Sequence, residues 1–223
     1  MHIDIEHIRR SFGRKTVLQD ISLSVSSGMC IGILGGNGSG KSTLLSILAG
    51  VLTGDGGSFL CDGTDLLRTP KQRETIVGYV PQGTPLFGEL NALDNLRLWY
   101  PADDLRLSLD QGVLAMLGIP AFLKTPVNKM SGGMKKRLAI GCAVAKDPQI
   151  LLMDEPTSAL DLACKQIVAA YLNEHRQNGG ITLLTTHDTA EFALCDKLYI
   201  LRDGVLAPYE YDGNMRELVD LLS

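Results

Sequence analysis

The sequence predicts an α/β domain with a mainly parallel sheet, and three observations carry that reading. Short apolar runs recur at residues 29–34, 150–153, 181–184 and 198–201, each the length of a strand buried on both faces. Stretches of helical character separate the later runs, the alternation expected of parallel α/β units. The first run leads straight into a glycine-rich segment and then into residues 42–49, where Leu44, Leu45, Ile47 and Leu48 stand at helix-compatible positions.

In chain order, residues 2–8 and 17–25 alternate apolar and polar side chains, the pattern of strands with one buried face. Ser26-Ser27-Gly28 supplies a turn after the second, so the opening reads as antiparallel β. Residues 54–63 are rich in turn formers, and 76–80 is a further buried-strand candidate ending at Pro81-Gln82. From 91 to about 124 the spacing becomes helical, through Leu93, Leu96 and Leu98 and later Leu109, Val113, Met116 and Leu117. This marks a small helical insertion. Ser131-Gly132-Gly133 then opens a helix running to about residue 146, with Leu138, Cys142 and Ala145 on one face and Lys135, Lys136 and Arg137 near its start.

Composition narrows the function. A chain of 223 residues can bury its own core as one large domain with a modest insertion. A formal net charge of -4 and an aromatic share of 5% argue against a nucleic-acid partner, which a basic surface and stacking rings would hold. The five cysteines lack CxxC spacing and read as reduced core thiols, so a cytoplasmic location is expected. No apolar run reaches the roughly 18 to 20 residues of a spanning helix.

Gly35-Gly36-Asn37-Gly38-Ser39-Gly40-Lys41-Ser42 has the phosphate-loop spacing of a glycine, four residues, then Gly-Lys-Ser, with Thr43 beginning the helix behind it. Glycines let the backbone pass close to phosphate oxygens and aim its amides inward. The helix adds its positive end, Lys41 a mobile charge for the β and γ phosphates, and Ser42 a hydroxyl for Mg²⁺. Residues 150–153 end in Asp154, the expected second contact to Mg²⁺, and Glu155 follows where it could act on an attacking water. The ligand expected from these residues is Mg-ATP.

With those residues fixed, the chain resembles the ABC ATPase family along essentially its whole length. Met130-Ser131-Gly132-Gly133-Met134 resembles the family signature, and Ser158-Ala159-Leu160-Asp161 resembles its D-loop. His187 matches the switch histidine, Gln82 the Q-loop glutamine that senses Mg²⁺, and Phe12 the aromatic that stacks on adenine. The resemblance implies a RecA-like core, an antiparallel β portion from 1–28 with 54–80, and a helical subdomain from about 83–145. It also implies that Ser131, Gly132, Gly133 and Asp161 of one protomer close over the ATP of another. A homodimer or heterodimer formed on ATP binding is the expected assembly.

Met134, Met130, Phe12 and Gly36 replace the family's commoner Gln, Leu, Tyr and Pro, and none of these changes removes a catalytic group. Lys135-Lys136-Arg137 resembles the continuation found in ABC-2 type exporters. Residues 125–129 lack the acidic-glycine sequence of exporters with fused membrane domains, so a separately encoded membrane permease is expected, with this chain peripheral on the inner face of the cell membrane. Residues 86–90 are the expected dock for that partner. Because the sequence ends soon after its last predicted strand, the regulatory C-terminal domain of many sugar importers is not expected. Two alternatives stay open: an ABC-type ATPase acting on nucleic acid, and one serving iron-sulfur cluster assembly.

Overall fold

The computed structural model describes residues 1–158 and 160–222. Among the described residues, ten strands form one continuous mixed sheet in the order β5-β4-β1-β2-β10-β9-β3-β8-β7-β6. At one end, β1 (His2–Phe12), β2 (Lys15–Ser26), β4 (Gly56–Cys61) and β5 (Thr64–Asp65) pair antiparallel. At the other, β3 (Cys30–Leu34), β6 (Val77–Val80), β7 (Ile150–Asp154), β8 (Ile181–Thr185) and β9 (Lys197–Arg202) pair parallel. β10 (Val205–Tyr209) joins the halves, antiparallel to β9 and touching β2 in parallel through Val205 and Asp20.

The parallel strands are apolar throughout because each face has its own core. In β7, Ile150 and Leu152 point into a core shared with α1 (Lys41–Leu48), while Leu151 and Met153 point into a second. That second core gathers the insertion, α3 (Ala92–Arg97), α4 (Ala102–Gln111) and α5 (Val113–Met116), together with α6 (Gly132–Ala143) and α7 (Leu162–Gln177). The antiparallel strands have one buried face, so Ile3, Ile5, Leu18, Ile21, Leu23 and Val25 alternate with exposed residues.

Two sequence expectations are corrected here. Residues 54–63, rich in turn formers and assigned to the antiparallel portion, hold β4: Gly57 sits at φ 98°, and Phe59 and Cys61 pair with Ile5 and Ile3 of β1 and enter the core. The stretch 54–80, assigned to the antiparallel portion, divides in two. β4 and β5 belong there, whereas α2 (Pro70–Ile76) turns the chain over and β6 runs parallel to β7. Finally, 198–201 is not the last strand, since β10 and α9 (Met215–Leu222) follow α8 (Thr189–Phe192) and β9. Among the described residues no helix is long and apolar enough to cross a membrane.

Candidate active site

The parallel strands all point the same way, so the C-terminal ends of β3, β6, β7 and β8 line one edge of the sheet. Crevices at such edges are where open α/β sheets place their ligands. The loop 35–40 leaves β3 and folds back to start α1, whose N-cap is Gly40 at φ 109°. A side chain at Gly40 would also place its Cβ 2.9 Å from both Val17 and Leu18 methyls, so glycine is required twice over. Gly38, at φ 79°, opens to solvent. A Cβ at Gly35 would lie 2.6 Å from the Leu201 carbonyl, which packs the loop against β9.

Lys41 is only 7% exposed, and its Nζ donates to the carbonyl oxygens of Gly35 at 2.6 Å and Gly36 at 3.0 Å. Burial lowers its pKa, while the nearby carboxylates of Glu155 and Asp154 oppose that shift. Ser42 is exposed one residue on.

Asp154 ends β7 opposite Thr185 of β8, whose Oγ1 donates to Asp154 Oδ1 at 2.5 Å. The second carboxylate oxygen is left for another partner. Glu155 leaves the strand at φ 48°, and its N–H donates to the Thr185 hydroxyl at 3.0 Å and carbonyl at 3.2 Å. That left-handed turn aims the side chain back along the edge. Glu155 Oε2 accepts from Gln82 Nε2 at 3.1 Å, and Oε1 lies 3.5 Å from His187 Nδ1. Residues from three loops, after β6, β7 and β8, therefore converge on one carboxylate.

Thr185 organises both acids and was not singled out in the sequence, although a threonine pair ending an otherwise apolar run is the signal that could have found it. Two further groups were missed. Lys136 of α6 is buried and its Nζ donates to the carbonyls of Pro81 at 3.3 Å and Gln82 at 3.4 Å, tying the signature helix to the Gln82 loop. Glu191 of α8 accepts from the N–H and hydroxyl of Thr157, joining the loop after Glu155 to the loop after His187. Burial raises its pKa against those hydrogen bonds.

The remaining predicted residues stand apart. Ser131 and Asp161 are N-caps, accepting from the N–H groups of Met134 at 3.2 Å and Cys164 at 2.8 Å. Gly133 presses on α7, where a Cβ would lie 2.7 Å from Cys164 Sγ, so these two helix starts form one surface. Ala159, within the predicted D-loop, lies outside the described residues. Phe12 is exposed at the tip of the β1–β2 hairpin, beneath the Arg10 guanidinium 4.6 Å from its ring centre.

Comparison with known proteins places the chain among its relatives. The family model described as ABC transporter matches residues 18–158. The linearmycin resistance ATP-binding protein LnrL of Bacillus subtilis is 31% identical over 91% of this chain and 67% of its own length. The Nod factor export ATP-binding protein I of Ralstonia nicotianae is 33% identical over 91% and 64%. The sulfate/thiosulfate import ATP-binding protein CysA of Neisseria meningitidis is 33% identical over 92% and 60%. The chain thus spans 60–67% of the length of these relatives. Among solved structures, an ATP-binding subunit of an ABC transporter superposes with TM-score 0.83 at 25% identity, covering 100% of this chain and 95% of that one. A dimeric, post-hydrolysis ATP-binding cassette bound to ADP and phosphate gives 0.82 at 25%, covering 95% and 99%. With a family model matching residues 18–158 and relatives more than 30% identical along nearly all of it, the chain belongs to the ABC transporter family.

Proposed function

We propose that this chain hydrolyses Mg-ATP at the edge of its parallel sheet and drives export through a separate membrane subunit. The observation that carries the reading is the convergence of Gln82 and His187 on Glu155, in the same electrostatic neighbourhood as Lys41. Amides of residues 35–43 and the start of α1 hold the phosphates, and Lys41 exchanges its carbonyl partners for phosphate oxygens. Glu155 accepts the proton of the attacking water, with Gln82 fixing one carboxylate oxygen and His187 beside the other.

A divalent metal fits these residues. The available atoms are hard oxygens: the exposed Ser42 hydroxyl, the Asp154 oxygen not bonded to Thr185, and the Gln82 side-chain carbonyl. Mg²⁺ held there with the nucleotide would neutralise charge on the phosphate oxygens. Gln82 could then offer its side-chain carbonyl to the metal while its Nε2 donates to Glu155.

Two chains complete the site. Gly132 opens α6 with nothing within 4 Å of where its Cβ would stand, and the α6 and α7 starts share one surface. Residues Ser131, Gly132, Gly133 and Asp161 close over the phosphate loop of a second protomer, identical or related.

The membrane partner docks beside the Gln82 loop. A groove of about 390 Å³ lined by Tyr79, Pro81, Pro85, Leu86 and Trp99 lies there. Buried Asn95 clamps Phe87 by its backbone N–H and carbonyl, at 2.9 and 3.2 Å, and leaves the Phe87 ring exposed beside it. Export is favoured by the Lys135-Lys136-Arg137 continuation and by the Nod factor export and linearmycin resistance relatives. The decisive test is Glu155→Gln: the variant should retain ATP, lose turnover and accumulate as an ATP-bound dimer by light scattering. Wild-type turnover by that variant overturns the assignment.

A further inference from the structure

We infer that Arg10 is a positioning residue for the base of the nucleotide, holding the Phe12 ring flat with its guanidinium so that only the opposite face is open to adenine. The inference rests on the reading of Phe12 as the adenine platform. Arg10 and Phe12 alternate along β1 and project to the same side of the strand. The guanidinium carbon lies 4.6 Å from the ring centre, the geometry of a cation over an aromatic face.

Arg10 is itself fixed. Its Nη1 donates to Asp55 Oδ1 at 2.8 Å, and the other oxygen of that carboxylate accepts the Ser11 N–H at 2.7 Å. The Asp55 N–H donates to the Arg9 carbonyl at 2.8 Å. One acidic residue from the segment leading into β4 thus grips three consecutive residues, 9 to 11, where β1 departs from regular register. The Arg10 side chain is 23% exposed, although Phe12 beyond it is 47% exposed. A half-exposed ring at a hairpin tip would otherwise rotate freely, and ordering it during binding would weaken affinity. The cation also draws electron density from the covered face, which favours an electron-rich purine on the other.

The test is a double-mutant cycle on the full chain, read as equilibrium affinity for ADP, so that neither hydrolysis nor ATP-driven dimerisation enters. Arg10→Met, which keeps the stem and removes the cation, should weaken ADP about three- to tenfold, with Arg10→Lys intermediate. Asp55→Asn should shift affinity in the same direction and add little to Arg10→Met. In steady state the loss should fall on KM and leave kcat unchanged. In a Phe12→Ala background, Arg10→Met should have no further effect. If Phe12→Ala weakens ADP but Arg10→Met does not, the inference fails while the Phe12 platform stands. Equal losses from Arg10→Met in both backgrounds also overturn it, since Arg10 would then act without the ring. If Phe12→Ala leaves ADP affinity unchanged, the platform reading itself fails, and this inference with it.

Discussion

Glu155 holds its carboxylate 3.1 Å from the amide of Gln82 while its own backbone adopts φ 48°, a conformation that glycine tolerates and glutamate resists. Such strain costs on the order of 1–3 kcal/mol and persists where the surrounding structure imposes it. Here the two hydrogen bonds from the Glu155 N–H to Thr185 impose it. Glu155→Gly keeps those backbone bonds and relieves the strain. The variant should lose at least about 10²-fold in kcat, the usual contribution of a general base, without any fall in unfolding midpoint. Paired ATPase and denaturant measurements check it; a marked loss of stability would show that the side chain supports the fold.

Lys41 has a similar conflict between stability and function. Its ammonium is almost fully buried against two carbonyl oxygens and loses hydration there, which is why its pKa falls. Burying an ammonium carries a desolvation cost that an apolar chain of similar length does not, and here it is set against the loss of two hydrogen bonds to carbonyls. Lys41→Met should therefore leave the nucleotide-free Tm unchanged or raised, and abolish the Tm increase that ATP gives the wild type. Thermal melts with and without ATP decide the point. A nucleotide-free Tm several degrees lower would mean that the loop depends on the charge for its shape.

Gly132 separates the partner-facing role from local packing. Its Cβ position is open, and it opens a helix in which alanine is favoured over glycine by about 1 kcal/mol. Gly132→Ala should leave Tm unchanged or slightly raised and still reduce ATPase activity, because under the proposed composite site the added methyl would meet the partner's nucleotide. Gly133→Ala should instead destabilise, since its methyl meets Cys164 Sγ at 2.7 Å. Full ATPase activity in Gly132→Ala would remove this residue from the composite site.

The contrast between these sites shows what a sequence displays. The phosphate loop, Asp154 and Glu155 were legible because their constraints are local: a fixed spacing, a run of apolar residues, a charge at its end. β10 was not, because Pro208 masks a short strand whose identity rests on its pairing with β9 and β2. Thr185 became a site residue only when β8 lay beside β7 in one particular register. Lys136 sat within a cationic run near a helix start that was read for its resemblance to exporters. Its spacing to Ala139 and Ile140 puts it on a buried face, and the signal was there to be used.

A last consequence lies away from the nucleotide. His175 of α7 is 8% exposed, stacked on Tyr171 at a centroid distance of 6.1 Å and pressed against the Gly180 backbone. Burial lowers its pKa below 6.5, against the opposing pull of the Ile181 backbone and the Asp147 carboxylate. A neutral folded histidine and a protonated unfolded one differ in bound protons only between the two pKa values. Stability contributed by the neutral ring is therefore complete above 6.5 and declines as pH falls below it, by at most about 1.4 kcal/mol per pH unit. His175→Phe keeps the stack and removes the titration. Denaturant unfolding without nucleotide should show a smaller loss of stability between pH 7 and pH 5 for the variant than for the wild type. An identical decline would assign the acid sensitivity to other groups and leave His175 as packing alone.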